Sequence, residues 1–298
     1  MKVKTSKKTI LGVIGGSGPE AGINVMEKML LIHKEGMGEA YRSDKDAASI
    51  ILMQDPGMGG PHGTWDLEDA NSEPYIELWE NIKCLVRKLN AIDVEFFCIT
   101  CNTLHFLEPK IREWMVGENM TTNFVSIVES TKTAIVRHYS KNNRLTNPEI
   151  SNSFIRENVL SVGKRARNRV AILGSYLTTD IMGFSPYKGL FDGDDNDLEC
   201  VLIEEEKRKH IQFLISETKR RGATSDLQKQ FFNLVNEEFV VGSSVKTDYI
   251  VLACTELPLL LSEEGREKLE TCGIVTIDPN FVLAEEMLRY GGYLVETK

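Results

Sequence analysis

No apolar run in this 298-residue chain approaches the roughly 20 residues that a membrane-crossing helix needs. The lysine-rich start, Met1 to Lys8, resembles the basic region of a secretory leader. The apolar stretch behind it is short and breaks at Gly15-Gly16, so the chain reads as cytoplasmic. A basic face is missing too: the formal charge is −9, which argues against a nucleic-acid partner, and no membrane partner is expected either. Cysteine is too sparse for a disulfide framework, and six thiols in a chain of this size fit a reducing compartment. Cys84, Cys98, Cys200 and Cys272 lie in apolar-periodic stretches and read as core residues.

The length is enough for two domains, each with its own core. Strand-like and helical patterns alternate from end to end. Strands are expected at Ile10–Gly15, Ala47–Met53, Val94–Thr100, Val170–Leu173, Glu199–Ile203, Tyr249–Ala253 and Gly273–Ile277. Helical periodicity falls at Glu20–Lys34, Pro74–Leu89, Glu204–Arg221 and Ser225–Glu238. Such alternation predicts an α/β fold of parallel sheets flanked by helices, with ligands beyond the carboxyl ends of the strands. Two stretches are irregular. Gln54 to Asp69 is rich in Gly, Pro and polar residues and reads as a binding lid, against a plain surface loop. His138 to Asn168 is polar and reads as a solvated insertion.

Two segments repeat each other. Ile10–Ser17 and Val170–Ser175 are each a strand running into a turn with Gly-Ser, and strands ending in Cys101 and Cys254 follow 85 positions after Gly16 and 80 after Gly174. The matched spacing points to an internal duplication. Each thiol stands at a strand's carboxyl end before an expected helix start, where free N–H groups and the helix dipole favour an anion. Asn102, Thr103 and Thr255 put short polar side chains beside them. Two ordinary core cysteines would need neither these neighbours nor the matched context.

Other chemistry is weaker. Gly16-Ser17-Gly18-Pro19-Glu20-Ala21 fits the dinucleotide pattern, but the next strand lacks a clear ribose-binding acid, Asp55 being the only rival. The same turn would equally suit a carboxylate. Cys98 and Cys101 form a C-x-x-C, yet Cys98 falls inside the strand. Cys101, His105 and Cys254 lack the close spacing of a zinc site, and His105 reads as a helix-face residue.

Gly15-Gly16-Ser17-Gly18-Pro19, Cys101-Asn102-Thr103-Leu104-His105 and Cys254-Thr255-Glu256-Leu257-Pro258 together resemble the motifs of the aspartate/glutamate racemase superfamily, in particular its aspartate racemase branch. The resemblance implies two similar α/β domains with the active site in the cleft between them. The first would span 1–107 and the second 108–279, with the segment 280–298 packing back on the first as a helix and the insertion at 138–168. It implies an amino-acid racemase that needs no cofactor, acting on aspartate or glutamate and forming a homodimer. Cys101 and Cys254 would be the opposed acid and base at the substrate Cα. Asn102, Thr103 and Thr255 would donate to the α-carboxylate, with Ser17 and Ser175 as further candidates. Lys219 falls where the family places a lysine near the side-chain carboxylate, although a surface lysine fits as well. Ser17 stands in place of the family's Met, and the loop from Gln54 to Gly63 replaces an arginine-bearing one, offering Gln54 and His62 instead. Another reaction on the same scaffold, such as maleate isomerisation through a cysteine nucleophile, and a non-catalytic carboxylate- or amino-acid-binding protein are the alternatives.

Overall fold

The computed structural model of the chain describes residues 8–59, 69–146, 168–181, 183–191, 198–241 and 246–294. In chain order the first half runs β1 (Ile10–Gly15), α1 (Pro19–Met37), β2 (Ser49–Gln54), α2 (Glu73–Ala91), β3 (Phe96–Ile99), α3 (Glu108–Gly117) and β4 (Asn123–Phe124). Helix α4 (Ile127–Thr146) follows. The second half runs β5 (Asn168–Gly174), β6 (Leu198–Val201), α5 (Glu205–Arg221), α6 (Ser225–Asn236), β7 (Tyr249–Ala253), α7 (Leu257–Leu260), α8 (Glu263–Thr271), β8 (Val275–Ile277) and α9 (Pro279–Tyr290).

Each half contributes a four-stranded sheet, in the orders β2-β1-β3-β4 and β6-β5-β7-β8, and every pairing is parallel. The orders superimpose strand for strand, as a duplicated α/β unit requires. The central strands are continuous apolar runs, with all five residues of β7 buried, because helices cover both faces of such sheets. The helices show the complementary pattern. In α2, Tyr75, Leu78, Ile82, Leu85, Val86 and Leu89 form one buried stripe, and Ser72 caps the first turn by accepting from the Tyr75 N–H at 3.3 Å.

Three apolar clusters result. One fills the first half around Ile82, Leu89 and Phe97, and another fills the second half around Ile211, Leu227 and Phe231. The third lies between the sheets and draws on both: Val13, Val25 and Met29 meet Ile172, Val251, Leu283 and Met287. At about 1.5–3 kcal/mol for each fully buried large side chain, this shared core binds the halves together strongly. Helix α9 lies against α1 and α4, and Lys28 of α1 pairs with Asp278 at the α9 N-cap.

The structure departs from the sequence reading in four places. Strand β4 was not expected; it pairs with β3, so the first sheet runs past residue 107 to Phe124. Cys84 and Cys272 are exposed rather than core residues, because Cys84 lies off the buried stripe of α2 and Cys272 caps the end of α8. The chain after Cys101 makes a 3₁₀ turn over Thr103–Leu107 before α3, and α7 has only four residues. The stretch at 138–168 begins inside α4 and ends in β5, with 147–167 outside the described residues, as are His62 and the rest of 60–68.

Candidate active site

The carboxyl ends of β1 and β3 set the first thiol. After β1 the chain turns through Gly16 and Gly18 with φ of 125° and 90°. A side chain on Gly16 would place its Cβ 1.8 Å from the Asp55 carbonyl oxygen, so the turn admits no Cβ there. This turn holds the Ser17 hydroxyl 3.2 Å from Cys101 Sγ. Thr100 ties the preceding residue to β1, its N–H and hydroxyl both donating to the Ile14 carbonyl at 2.9 and 3.2 Å. Asp55 is used locally, accepting from the Gly57 N–H at 2.9 Å.

His105 fixes Cys101 from below. The Ile127 N–H donates to its Nε2 at 3.1 Å, so that nitrogen carries no proton. Its Nδ1–H therefore donates to the Cys101 carbonyl at 2.8 Å. Burial holds the imidazole below its ordinary pKa of 6.5, against a smaller opposing pull from Glu108, so the ring is neutral where it serves as this pin. With both nitrogens engaged, His105 is not free to bind a metal. Among the described residues no group of three His, Cys, Asp or Glu side chains is arranged to hold a metal ion.

The second thiol has a different neighbour. Cys254 Sγ lies 2.9 Å from Glu256 Oε2, and the thiol donates to it. The Thr255 hydroxyl donates to the same oxygen at 2.9 Å. Lys219 Nζ stands 3.8 Å from the other oxygen of Glu256, whose residue is only 6% exposed. Burial pushes the Cys254 thiol well above its ordinary value of 9.0, the Glu256 carboxylate pushes further, and Lys219 pulls part of the way back. Desolvation opposes the charge on Lys219, but Cys254, Glu256, Cys101 and Glu20 outweigh it and hold its pKa above the ordinary lysine value. Both thiols thus lie within electrostatic reach of one ammonium group. The short turn at α7 gives the thiol little of the dipole support expected from a full helix.

Hydrogen bonds cross between the halves beside the residues that follow Cys101. Thr103 Oγ1 lies 2.9 Å from both Ser175 Oγ and Thr178 Oγ1, which are themselves 2.8 Å apart. The Tyr187 hydroxyl donates to Asn102 Oδ1 at 2.5 Å. A Cβ on Gly18 would come within 3.4 Å of Thr255 Oγ1 and 3.5 Å of Glu256 Oε1, so the first turn faces the second Cys motif directly. A cavity of about 360 Å³ adjoins this point, lined by Glu20, Asn24 and Glu27 of α1 and by Lys219, Thr255 and Glu256.

Solved structures of the same shape exist. An aspartate racemase homologue from Pyrococcus horikoshii OT3 aligns over 96% of this chain and 99% of its own, with TM-score 0.62 and 16% identity. A candidate Asp/Glu racemase from Yersinia pestis aligns over 95% and 99%, with TM-score 0.64 and 17% identity. A glutamate racemase from Campylobacter jejuni subsp. jejuni aligns over 95% and 85%, with TM-score 0.53 and 12% identity. The chain has the aspartate/glutamate racemase fold. No family model and no curated protein matches its sequence.

Within this racemase fold the structure sorts the residues singled out from sequence. Ser17 joins Cys101, and Thr255 and Lys219 join Cys254 through Glu256. Thr103 and Ser175 bond to each other across the halves, and Asn102 Oδ1 is taken by Tyr187. Gln54 donates from Nε2 to the Pro19 carbonyl at 2.7 Å. Sequence reasoning missed Thr178, Tyr187 and Glu20. It noted Glu256 in a motif without giving it a partner. Thr178 stands three residues beyond Ser175, a weak local signal; Tyr187 is 85 residues from its partner and gave none.

Proposed function

We propose that the chain is an amino-acid racemase that uses Cys101 and Cys254 as opposed acid and base at the substrate Cα, without a cofactor. The supporting observation is the pairing of the two strand-end thiols with unlike proton partners in one cleft, a hydroxyl beside Cys101 and a carboxylate beside Cys254. A two-base racemisation needs one thiolate and one thiol at the start of each turnover. Cys254, hydrogen-bonded to Glu256 and with its pKa raised, suits the thiol role in the resting cleft. Cys101 then removes the Cα proton on one face while Cys254 delivers its own to the other. General acid–base transfer of this kind is worth roughly 10²–10⁴-fold, and donors preorganised around the substrate carboxylate must supply the rest.

Aspartate or glutamate is the proposed substrate. Lys219 supports it: the side chain is about half exposed (47%) at the cavity and is poised to meet a second carboxylate. The direct test is a panel of L- and D-amino acids in D₂O, with deuterium at Cα followed by NMR. Wild-type protein exchanges and racemises the acidic substrates. Cys101→Ser and Cys254→Ser each lose racemisation by about 10²-fold or more while one retains exchange from a single enantiomer. Racemisation at wild-type rate in either variant rules out the two-thiol mechanism. A stable thioether adduct would favour an isomerase with a cysteine nucleophile.

A further inference from the structure

Asn102 directly follows the first thiol, and only one end of its amide is engaged. The Tyr187 hydroxyl donates to Oδ1 at 2.5 Å. Among the described residues Nδ2 makes no hydrogen bond, the side chain caps no helix, and Nδ2 is not sealed from solvent. We propose that Tyr187 is a positioning residue for the reaction, whose hydroxyl turns the Asn102 amide so that its NH₂ end meets the substrate carboxylate. The proposal rests on the racemase reading above.

An amide can be turned over with almost no change of shape, yet its two ends have opposite chemistry. Oδ1 only accepts and repels a carboxylate, whereas Nδ2 carries two donors. A phenol O–H on Oδ1 decides between them, and here it comes from the other half of the chain. Tyr187 is fully buried, its ring packed in the core that the two sheets share. Burial lifts the phenol above its ordinary pKa of 10.0, against a smaller opposing pull from Thr131, so the group stays a protonated donor. The backbone aims it as well. Ser185, also buried, donates from Oγ to the Thr178 carbonyl at 2.5 Å and accepts the Tyr187 N–H at 3.2 Å. The Leu190 N–H donates to the Tyr187 carbonyl at 3.0 Å and closes the turn. Thr178 is also the residue that meets Thr103, so one segment of the second half holds both residues that follow Cys101.

The benefit falls where charge develops. When the Cys101 thiolate takes the Cα proton, the C–H bond breaks, an S–H bond forms and the electron pair spreads onto the substrate carboxylate. The charge withdraws again as the Cys254 S–H bond breaks and a new C–H bond forms on the opposite face. A donor already aimed at those oxygens stabilises the charged state more than the ground state, and it needs no reorientation at that moment. With Oδ1 turned inward the same side chain would oppose the charge. Tyr187 gives up no proton in this sequence; its hydroxyl stays bonded to Oδ1 throughout.

The test uses the full chain with Tyr187→Phe, which keeps the packed ring and removes only the hydroxyl, with Asn102→Ala, and with both. The first readout needs no turnover. The NMR resonance of the buried phenol proton, identified by its loss in Tyr187→Phe, lies at low field and moves in Asn102→Ala. The second readout is kinetic. In Tyr187→Phe, kcat/KM for aspartate and glutamate falls about 10–10²-fold, carried mostly by kcat and alike for both enantiomers. Asn102→Ala loses at least as much, and adding Tyr187→Phe to it changes little, because the amide to be turned is gone. A phenol resonance unmoved by Asn102→Ala overturns the proposal, and so does wild-type kcat/KM in Tyr187→Phe. Losses that multiply in the double variant overturn it too and leave Tyr187 a packing residue. Wild-type protein that exchanges Cα hydrogen in no amino acid defeats the racemase reading instead, and the phenol resonance, which needs no substrate, separates that failure from this one.

Discussion

Lys219 and His105 show how single side chains set the surroundings of the two thiols. Lys219 lowers the Cys254 pKa, so Lys219→Met removes that pull and the thiol rises further. The expected result is slower Cys254 alkylation at pH 8 to 9 and a reaction whose pH optimum moves to the alkaline side, measured beside wild type. His105 gives a stability signature. Its folded pKa lies below the unfolded value of 6.5, so the unfolded chain binds more protons in that range. Stability from the neutral pin is complete above 6.5 and falls as pH drops below it. Urea midpoints between pH 7 and 5 should therefore fall in wild type and fall less in His105→Asn, which keeps a donor near Nδ1 and cannot titrate. Lys219 was legible only through the family resemblance, whereas the role of His105 depends on Ile127, which lies 22 residues away.

At the scale of elements, legibility followed length and periodicity. Strands β1, β5 and β7 were readable because a strand buried on both faces is a plain apolar run. Strand β4 was not, since two residues carry no period. Cys84 was misread because it sits in an apolar segment but off the 75-78-82-85-86-89 stripe. The trio of Thr103, Ser175 and Thr178 joins turns 72 and 75 residues apart, and nothing local announces such a contact. It makes a specific prediction. Thr103→Val keeps the volume but leaves two buried hydroxyls with a single bond between them, at a cost of about 1–3 kcal/mol in urea unfolding. Ser175→Ala should cost less than the sum when combined with it, because the pair shares one network.

For the whole molecule the decisive feature is the core shared by the two sheets. Two halves with independent cores could melt separately; here Val13 and Met29 lean on Ile172, Val251 and Met287. The expectation is one cooperative transition. All three tryptophans, Trp65, Trp79 and Trp114, lie in the first half of the sequence, so tryptophan fluorescence reports that half and far-UV circular dichroism reports both. Coincident urea curves are the expected outcome, and a second transition seen only by dichroism would show the halves to be separable.

Under the proposed racemisation, the unlike partners of the two thiols, a hydroxyl for one and a carboxylate for the other, carry a consequence for equilibrium. Mirror-image amino acids in water have equal free energies, so a racemase cannot prefer one product whatever its walls look like. The inequality must surface in saturation behaviour alone: one direction has the larger turnover number and, by the same factor, the larger Michaelis constant. The two ratios kcat/KM stay equal, and a lopsided site still brings its substrate to a one-to-one mixture.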